Sequence, residues 1–238
     1  MAGAAARRAL DYPFAIPAGS YVLRADGPEA VDGVDGEALR DRVPVLAIGA
    51  NAAPERLREK LGPPPAGEGL PVLAARLHGF DVVYSAHISP YGAVPATLFP
   101  APGAVAHVHV IHPTEPELGL LHRTEPNYRF GVLDDASVEL PGGERLRSVH
   151  AYVSRHGCLA LDGGPVGVAP VEVENRPRRA LDEPAVLEAV RARLAPEQSL
   201  EDFIVQSAGD PSVAQRRTKG LRRVAQDVDL PGWRCGES

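Results

Sequence analysis

The run from Val43 to Asn51, Val-Pro-Val-Leu-Ala-Ile-Gly-Ala-Asn, reads as an apolar strand that breaks into Gly49-Ala50-Asn51 at the mouth of a helical pattern. A small-residue corner of this kind exposes several backbone N–H groups together, which holds a carboxylate or a developing oxyanion without using a side chain. Gly49, Ala50 and Asn51, flanked by Ile48 and Ala52, are therefore candidate substrate-binding residues. Downstream, Glu125 follows a short helical stretch, and Tyr128 opens the next strand-like run. A positioned carboxylate can take and return a proton, while a phenol beside it supplies a wall or a hydrogen bond. Each feature also has an ordinary structural reading. A strand–glycine–helix corner is often only a tight turn, and Glu125 could pair with Arg123 or Arg129. Chemistry requires a fold that brings the corner and the carboxylate to one cavity.

Other reactive side chains make weaker cases. His87, Tyr91 and Gly92 lie together and are expected near the pocket. His107, His109 and His112 follow a spacing that puts the first two on one strand face, but no carboxylate pattern completes a ligand set, so no metal site is expected. Val108 and Val110 should face the core, with His107 and His109 towards solvent. His156-Gly-Cys158 sets a thiol beside an imidazole in sequence, but catalytic Cys–His pairs meet through the fold rather than through adjacency. Arg216, Arg217, Lys219, Arg222 and Arg223 crowd a helix whose apolar residues make it an amphipathic surface helix. Neither a Gly-rich phosphate loop with Lys-Ser/Thr nor a Gly-x-Ser-x-Gly elbow is present.

The elements that must carry these residues follow from patterning. Residues 1–42 are Ala-, Gly-, Asp- and Arg-rich with weak periodicity and read as an arm laid over the body, with one strand near 20–24. Residues 53–61 have Pro54 early and Leu57 and Leu61 at i and i+4, a short helix stopped by Gly62 and three prolines. From 70 to 111, four β-type runs are separated by Gly and Pro corners. Thr114 with Glu117 three residues on has capping-box spacing for a second short helix. Strand-like runs at 128–140 and 146–154 flank a Pro141-Gly-Gly corner, and helical spacing returns at 183–194 and 211–228. The expected organisation is one domain: the arm, a core at 43–156, and a C-terminal extension at 157–238.

Composition narrows the class. The chain has 238 residues, 44% apolar and 24% charged, so it can bury a core without disulfides or metal. Its 24 Gly and 24 Pro imply short elements with many corners. A net charge of −6 with both signs interspersed argues against nucleic acid or an anionic membrane as partner. Two cysteines and the lack of any long apolar run lead to the expectation of a cytoplasmic protein in a reducing compartment.

The order of motifs resembles the gamma-glutamyl cyclotransferase family. The family's strand ending in Tyr-Gly-Ser-Asn-Leu is approximated by Ile48-Gly49-Ala50-Asn51-Ala52, so Ile48, Ala50 and Ala52 stand where the family has Tyr, Ser and Leu. Gly92-Ala-Val-Pro-Ala-Thr97 matches its Gly-rich strand ending in Ala-Thr, Pro102-Gly103 its Pro-Gly turn, and Glu125 with Tyr128 its catalytic Glu and following Tyr. The resemblance covers about 43–132. It implies an α+β fold, a small, mixed, mostly antiparallel β-barrel with flanking helices, extended here at both ends. It also implies release of 5-oxoproline from a γ-glutamyl amide or peptide without a cofactor, with Glu125 as general acid and base. Ile48, Gly49, Ala50, Asn51, Ala52, Tyr91, Gly92 and Tyr128 would bind substrate. The alternative is a non-catalytic small-molecule or peptide-binding protein that retains the barrel and pocket.

Overall fold

A computed structural model describes residues 2–65 and 67–236; the outermost residues of the expected arm and extension, 1 and 237–238, lie outside the described residues. In chain order the elements are α1 (Ala2–Leu10), β1 (Tyr21–Leu23), β2 (Pro28–Ala30), β3 (Val45–Ala47), α2 (Pro54–Leu61), β4 (Leu70–Tyr84), β5 (Ala96–Ile111) and α3 (Glu115–Thr124). There follow β6 (Tyr128–Glu139), β7 (Arg145–Ser154), β8 (Cys158–Leu161), and four two-residue strands, β9 (Gly164–Pro165), β10 (Gly167–Val168), β11 (Val173–Glu174) and β12 (Ala180–Leu181). The chain ends with α4 (Glu183–Leu194), α5 (Leu200–Gly209), α6 (Pro211–Leu221), β13 (Ala225–Gln226) and β14 (Trp233–Cys235).

Strands β3, β5, β4, β6 and β7 close on one another in that order, through antiparallel ladders except for the parallel step from β7 back to β3. This is an α+β fold built on a small, mixed, mostly antiparallel barrel, with no free edge in the ring itself. Side chains alternate across its wall with period two. Leu46, Leu73, Leu77, Val110, Leu133 and Val149 share one core, whereas their neighbours Val45, Ala47, Val72 and Ile111 turn to a second. Leu57 of α2 and Leu118 and Leu121 of α3 cover that second face, which fixes both helices against the barrel. The capping box at the start of α3 forms as the spacing predicts, with Glu117 Oε2 accepting from the Thr114 N–H at 2.7 Å.

Several expected elements differ in detail. The four β-type runs between 70 and 111 are two long strands, because Gly79 at φ +83 makes a bulge between His78 and Phe80 instead of a corner. His109 does not face solvent with His107. It is buried beside Tyr21, because the arm's β1 pairs with β4 and covers that face, and burial lowers its pKa. His107 stays half-exposed against Glu174. The arm also contains a helix that its sequence hides: Ala6 and Ala9 of α1 are buried against the C-terminal helices, and alanine contributes little to a periodic signal. The helix expected over 211–228 ends at Leu221, giving way to a 3₁₀ turn and to β13, which pairs with β8. Arg217, expected on the surface, is buried with its guanidinium 3.7 Å from the Phe203 ring centroid.

The C-terminal extension joins the barrel sheet. β10 pairs with β4 and β11 with β5. Asp81 on β4 is fully buried and accepts from Arg176 Nε at 3.0 Å and Arg178 Nη1 at 2.9 Å. Glu183, the first residue of α4, is also fully buried and accepts from the Val94 N–H at 2.6 Å, tying α4 to the loop between β4 and β5. Desolvation pushes its carboxyl pKa well above the ordinary carboxylate range. No helix among the described residues is long and apolar enough to cross a membrane.

Candidate active site

A cavity of about 590 Å³ opens where the end of β3, the N-terminal arm, α2, the β4–β5 loop and the α3–β6 connection meet. Ile48, Gly49, Ala50, Asn51, Tyr91, Glu125 and Tyr128 line it, as does His87. Ala52 and Gly92 do not line it. Ala52 is buried behind the turn, its carbonyl accepting from Tyr21 Oη at 2.8 Å, and Gly92 packs against Ile204 of α5.

The turn after β3 is a single 3₁₀ turn over Ala50–Ala52, closed by Ala52 N–H to Gly49 C=O and Ala53 N–H to Ala50 C=O. The N–H groups of Ala50 and Asn51 precede the first donor of that turn, Ala52 N–H, and find no carbonyl within it. Gly49 is needed for close approach: a Cβ there would collide with Tyr12 Oη. That phenol, supplied by the arm, accepts from the Ala96 N–H at 2.7 Å. Tyr128 Oη donates to the Ala96 carbonyl at 2.9 Å, so two tyrosines brace Ala96 of β5 through the peptide units on either side of it.

Glu125 is the residue at which α3 stops. Its N–H donates to His122 C=O and its own carbonyl accepts from Tyr128 N–H, a tight connection that sets Glu125 and Tyr128 side by side. Across the cavity wall Asn51 Nδ2 donates to Glu125 Oε1 at 3.0 Å, joining residues 74 positions apart. Lys60, from the last turn of α2, donates from Nζ to the same oxygen at 2.5 Å and to Asn51 Oδ1 at 2.7 Å. Both Lys60 and Glu125 have only 11% of their side-chain surface exposed. The expected partners Arg123 and Arg129 make no ion pair with Glu125 among the described residues; Lys60 takes that place.

Several lining residues carry no sequence signal of their own. Lys60 reads as one more polar residue on a short helix, and it is helical spacing from Leu57 combined with the Asn51 contact that turns it inward. Arg56 is buried under Phe14 and Tyr91, its guanidinium 4.9 and 5.0 Å from their ring centroids, and pairs with Glu59. Arg8 of α1 reaches Glu59 as well. Phe14 takes a positive φ of 72°, a strained backbone for a bulky residue, held by this aromatic and cationic packing.

His87 is buried at the edge of the cavity with Nδ1 2.6 Å from Ser85 Oγ, which in turn contacts Ser154 Oγ at 2.7 Å. Desolvation, and then the nearby His156, lower its pKa to about 3, so it is neutral at physiological pH. Burial raises the phenol pKa values of Tyr12, Tyr91 and Tyr128, which keeps them protonated hydrogen-bonding groups. The Cys158 thiol has no partnership with His156. It donates to Gln226 C=O at 3.4 Å and is pushed up to about 11 chiefly by burial, while His156 Nε2 contacts Asn127 Oδ1 at 3.0 Å. Among the described residues no group of three or more His, Cys, Asp or Glu is arranged to hold a metal ion.

No protein-family model matches this chain, and no curated protein matches it in sequence. Solved structures do. A gamma-glutamyl cyclotransferase structure is 15% identical with a TM-score of 0.38, over 82% of this chain and 94% of that one. An uncharacterized protein from Homo sapiens is 15% identical with a TM-score of 0.38, over 83% of this chain and 95% of that one. A gamma-glutamyl cyclotransferase specific to glutathione from yeast is 12% identical with a TM-score of 0.33, over 77% of this chain and 97% of that one.

Proposed function

We propose that this chain is a cyclotransferase that releases 5-oxoproline from a γ-glutamyl amide or peptide. The observation that carries the reading is the 3.0 Å contact between Asn51 and Glu125, because it sets a proton carrier beside the turn that offers free backbone N–H groups. A cavity of about 590 Å³ is in the range that encloses a small molecule.

In this reading Glu125 takes a proton from the substrate's α-ammonium, a group whose free pKa lies near 8. The uncovered amine attacks its own γ-carbonyl carbon, forming the ring C–N bond and a tetrahedral oxyanion. The N–H groups of Gly49, Ala50 and Asn51 stabilise that oxyanion or the substrate carboxylate. Collapse breaks the bond to the departing amine as Glu125 returns the proton to its nitrogen, and the ring nitrogen, which still holds two hydrogens after attack, gives up its second proton through the same carboxylate to the released amine, which leaves as an ammonium ion. Holding the chain folded for attack supplies the proximity component, and the sequence of steps balances without a cofactor.

The lack of side-chain hydroxyls at Ile48 and Ala50 favours a second reading, in which the cavity binds such a ligand without turning it over. A panel of γ-glutamyl amines and γ-glutamyl dipeptides separates the two. The proposal expects 5-oxoproline from at least one member, in proportion to enzyme. Saturable binding of panel members with no 5-oxoproline from any would replace it with the binding reading.

A further inference from the structure

The place beside Glu125 where a substrate ammonium would be expected to pair is already taken by an ammonium of the protein. Lys60 Nζ contacts Glu125 Oε1 at 2.5 Å and Asn51 Oδ1 at 2.7 Å, and it lines the cavity. An ammonium carries three N–H donors, and these two contacts use two of them. The charges around it are unbalanced. Arg8, Arg56, Lys60 and Arg123 line the cavity against only Glu59 and Glu125, and Glu59 is already engaged by Arg8 and Arg56. Arg123 is exposed and its field is screened by water, whereas Lys60 is mostly buried at the acid–base group itself. Its remaining donor is thus the strongest positive hydrogen-bonding group within reach of a substrate held at Glu125.

We propose that Lys60 is the specificity-determining residue for the acyl half of the substrate, receiving the carboxylate that sits next to the attacking amine. The inference rests on the cyclotransferase reading above. The substrate's α-carboxylate bridges to Lys60, its amine turns to the free side of the Glu125 carboxylate, and the zwitterion is matched by a Lys–Glu pair of opposite sense. No group is transferred to Lys60. Its ammonium keeps its protons throughout, and the two protons that move pass between the substrate nitrogens through Glu125.

The test compares two substrates that share one leaving amine, the most active in the panel. The γ-glutamyl amide closes to 5-oxoproline; the 4-aminobutyryl amide, identical but for the missing carboxylate, closes to 2-pyrrolidinone. In the wild type, loss of the carboxylate should lower kcat/KM by about 10- to 100-fold, the range of one charge-assisted hydrogen bond, mostly through KM. In Lys60→Met, and in Lys60→Gln, which retains a polar group towards Asn51, that ratio should collapse to within about threefold. A Lys60 that only props Glu125 would slow both substrates by the same factor and leave the ratio intact, which would overturn the inference while leaving the cyclotransferase reading standing. If the wild type releases lactam from neither substrate, the reading itself fails. Titration with 5-oxoproline and with 2-pyrrolidinone then decides the Lys60 assignment alone: preference for the former in the wild type but not in Lys60→Gln supports it, and equal affinities overturn it. Thermal unfolding of both variants reports whether either change is one of folding.

Discussion

Glu125→Gln should lower 5-oxoproline release by at least about 100-fold with little change in KM, since general acid–base catalysis by one positioned group contributes about 10²- to 10⁴-fold. The substitution is chosen for what it preserves. The amide oxygen of Gln can still accept from Asn51 Nδ2 and Lys60 Nζ, so the cavity wall and the end of α3 are retained. What it removes is the ability to take a proton from the attacking nitrogen and return it to the departing one. The turn at Gly49 to Asn51 is untouched, so the residual rate reports oxyanion stabilisation and proximity alone. Activity equal to that of the wild type would refute the role assigned to Glu125. Steady-state kinetics on the best panel substrate, with thermal unfolding as a control for fold, is the measurement.

Asp81→Asn should cost about 3–5 kcal/mol of stability, the range measured when one partner of a buried ion pair is removed and the other is left uncompensated. Asp81 is fully buried, and Arg176 and Arg178 converge on its two oxygens while remaining only 14% and 16% exposed. Arg176 also donates to Val168 and Val171 carbonyls, and Arg178 stacks 4.9 Å from the Phe99 ring centroid, so neither can swing out to water without losing packing. For a chain of this size the loss corresponds to a fall in Tm of about 10 °C. The exposed pair Arg179–Asp162 is the control, and Asp162→Asn should leave Tm unchanged. A shift in Asp81→Asn as small as the control's would mean that the extension is not anchored through this cluster. Below the transition the variant should retain catalysis, because Asp81 does not line the cavity.

What the sequence reveals and hides follows from the range of the interactions involved. The barrel strands are legible because their two faces belong to two cores, so apolar residues persist through β4 and β5 with a regular alternation. Both short helices announce themselves locally, α2 by Pro54 and α3 by Thr114 with Glu117. The continuity of β4 through Gly79 is not legible, since a glycine in a bulge and a glycine at a corner look the same until the partner strand is known. Helix α5 is not read from the sequence: the Ser199 side chain caps the Asp202 N–H, but what holds the helix is the burial of Phe203 and Ile204 against the rest of the fold, a long-range fact.

The candidate site shows the same division. Gly49, Asn51, Glu125 and Tyr128 can be singled out by residue type and motif order, and the fold brings all four to one cavity. Lys60, Arg56, Arg8 and Tyr12 cannot, because each is recruited from a helix or arm whose own sequence gives no reason to face inward. Tyr12 lies in a stretch without periodicity, yet its hydroxyl is bonded to the backbone 84 residues away. Gly92 and Ala52 fail the other way: they sit within motif matches but face Ile204 and Tyr21 instead of the cavity.

In the proposed reaction an amine of the substrate, and not water, attacks the γ-carbonyl within this cavity. The two attacking groups are told apart by giving the wild-type protein a γ-glutamyl amide labelled with ¹⁵N at its α-amine, in H₂¹⁸O, and identifying the product by mass spectrometry. The expected product is 5-oxoproline carrying ¹⁵N in its ring and no ¹⁸O, with the released amine unlabelled. Glutamate carrying ¹⁵N and ¹⁸O would show hydrolysis by water and contradict it.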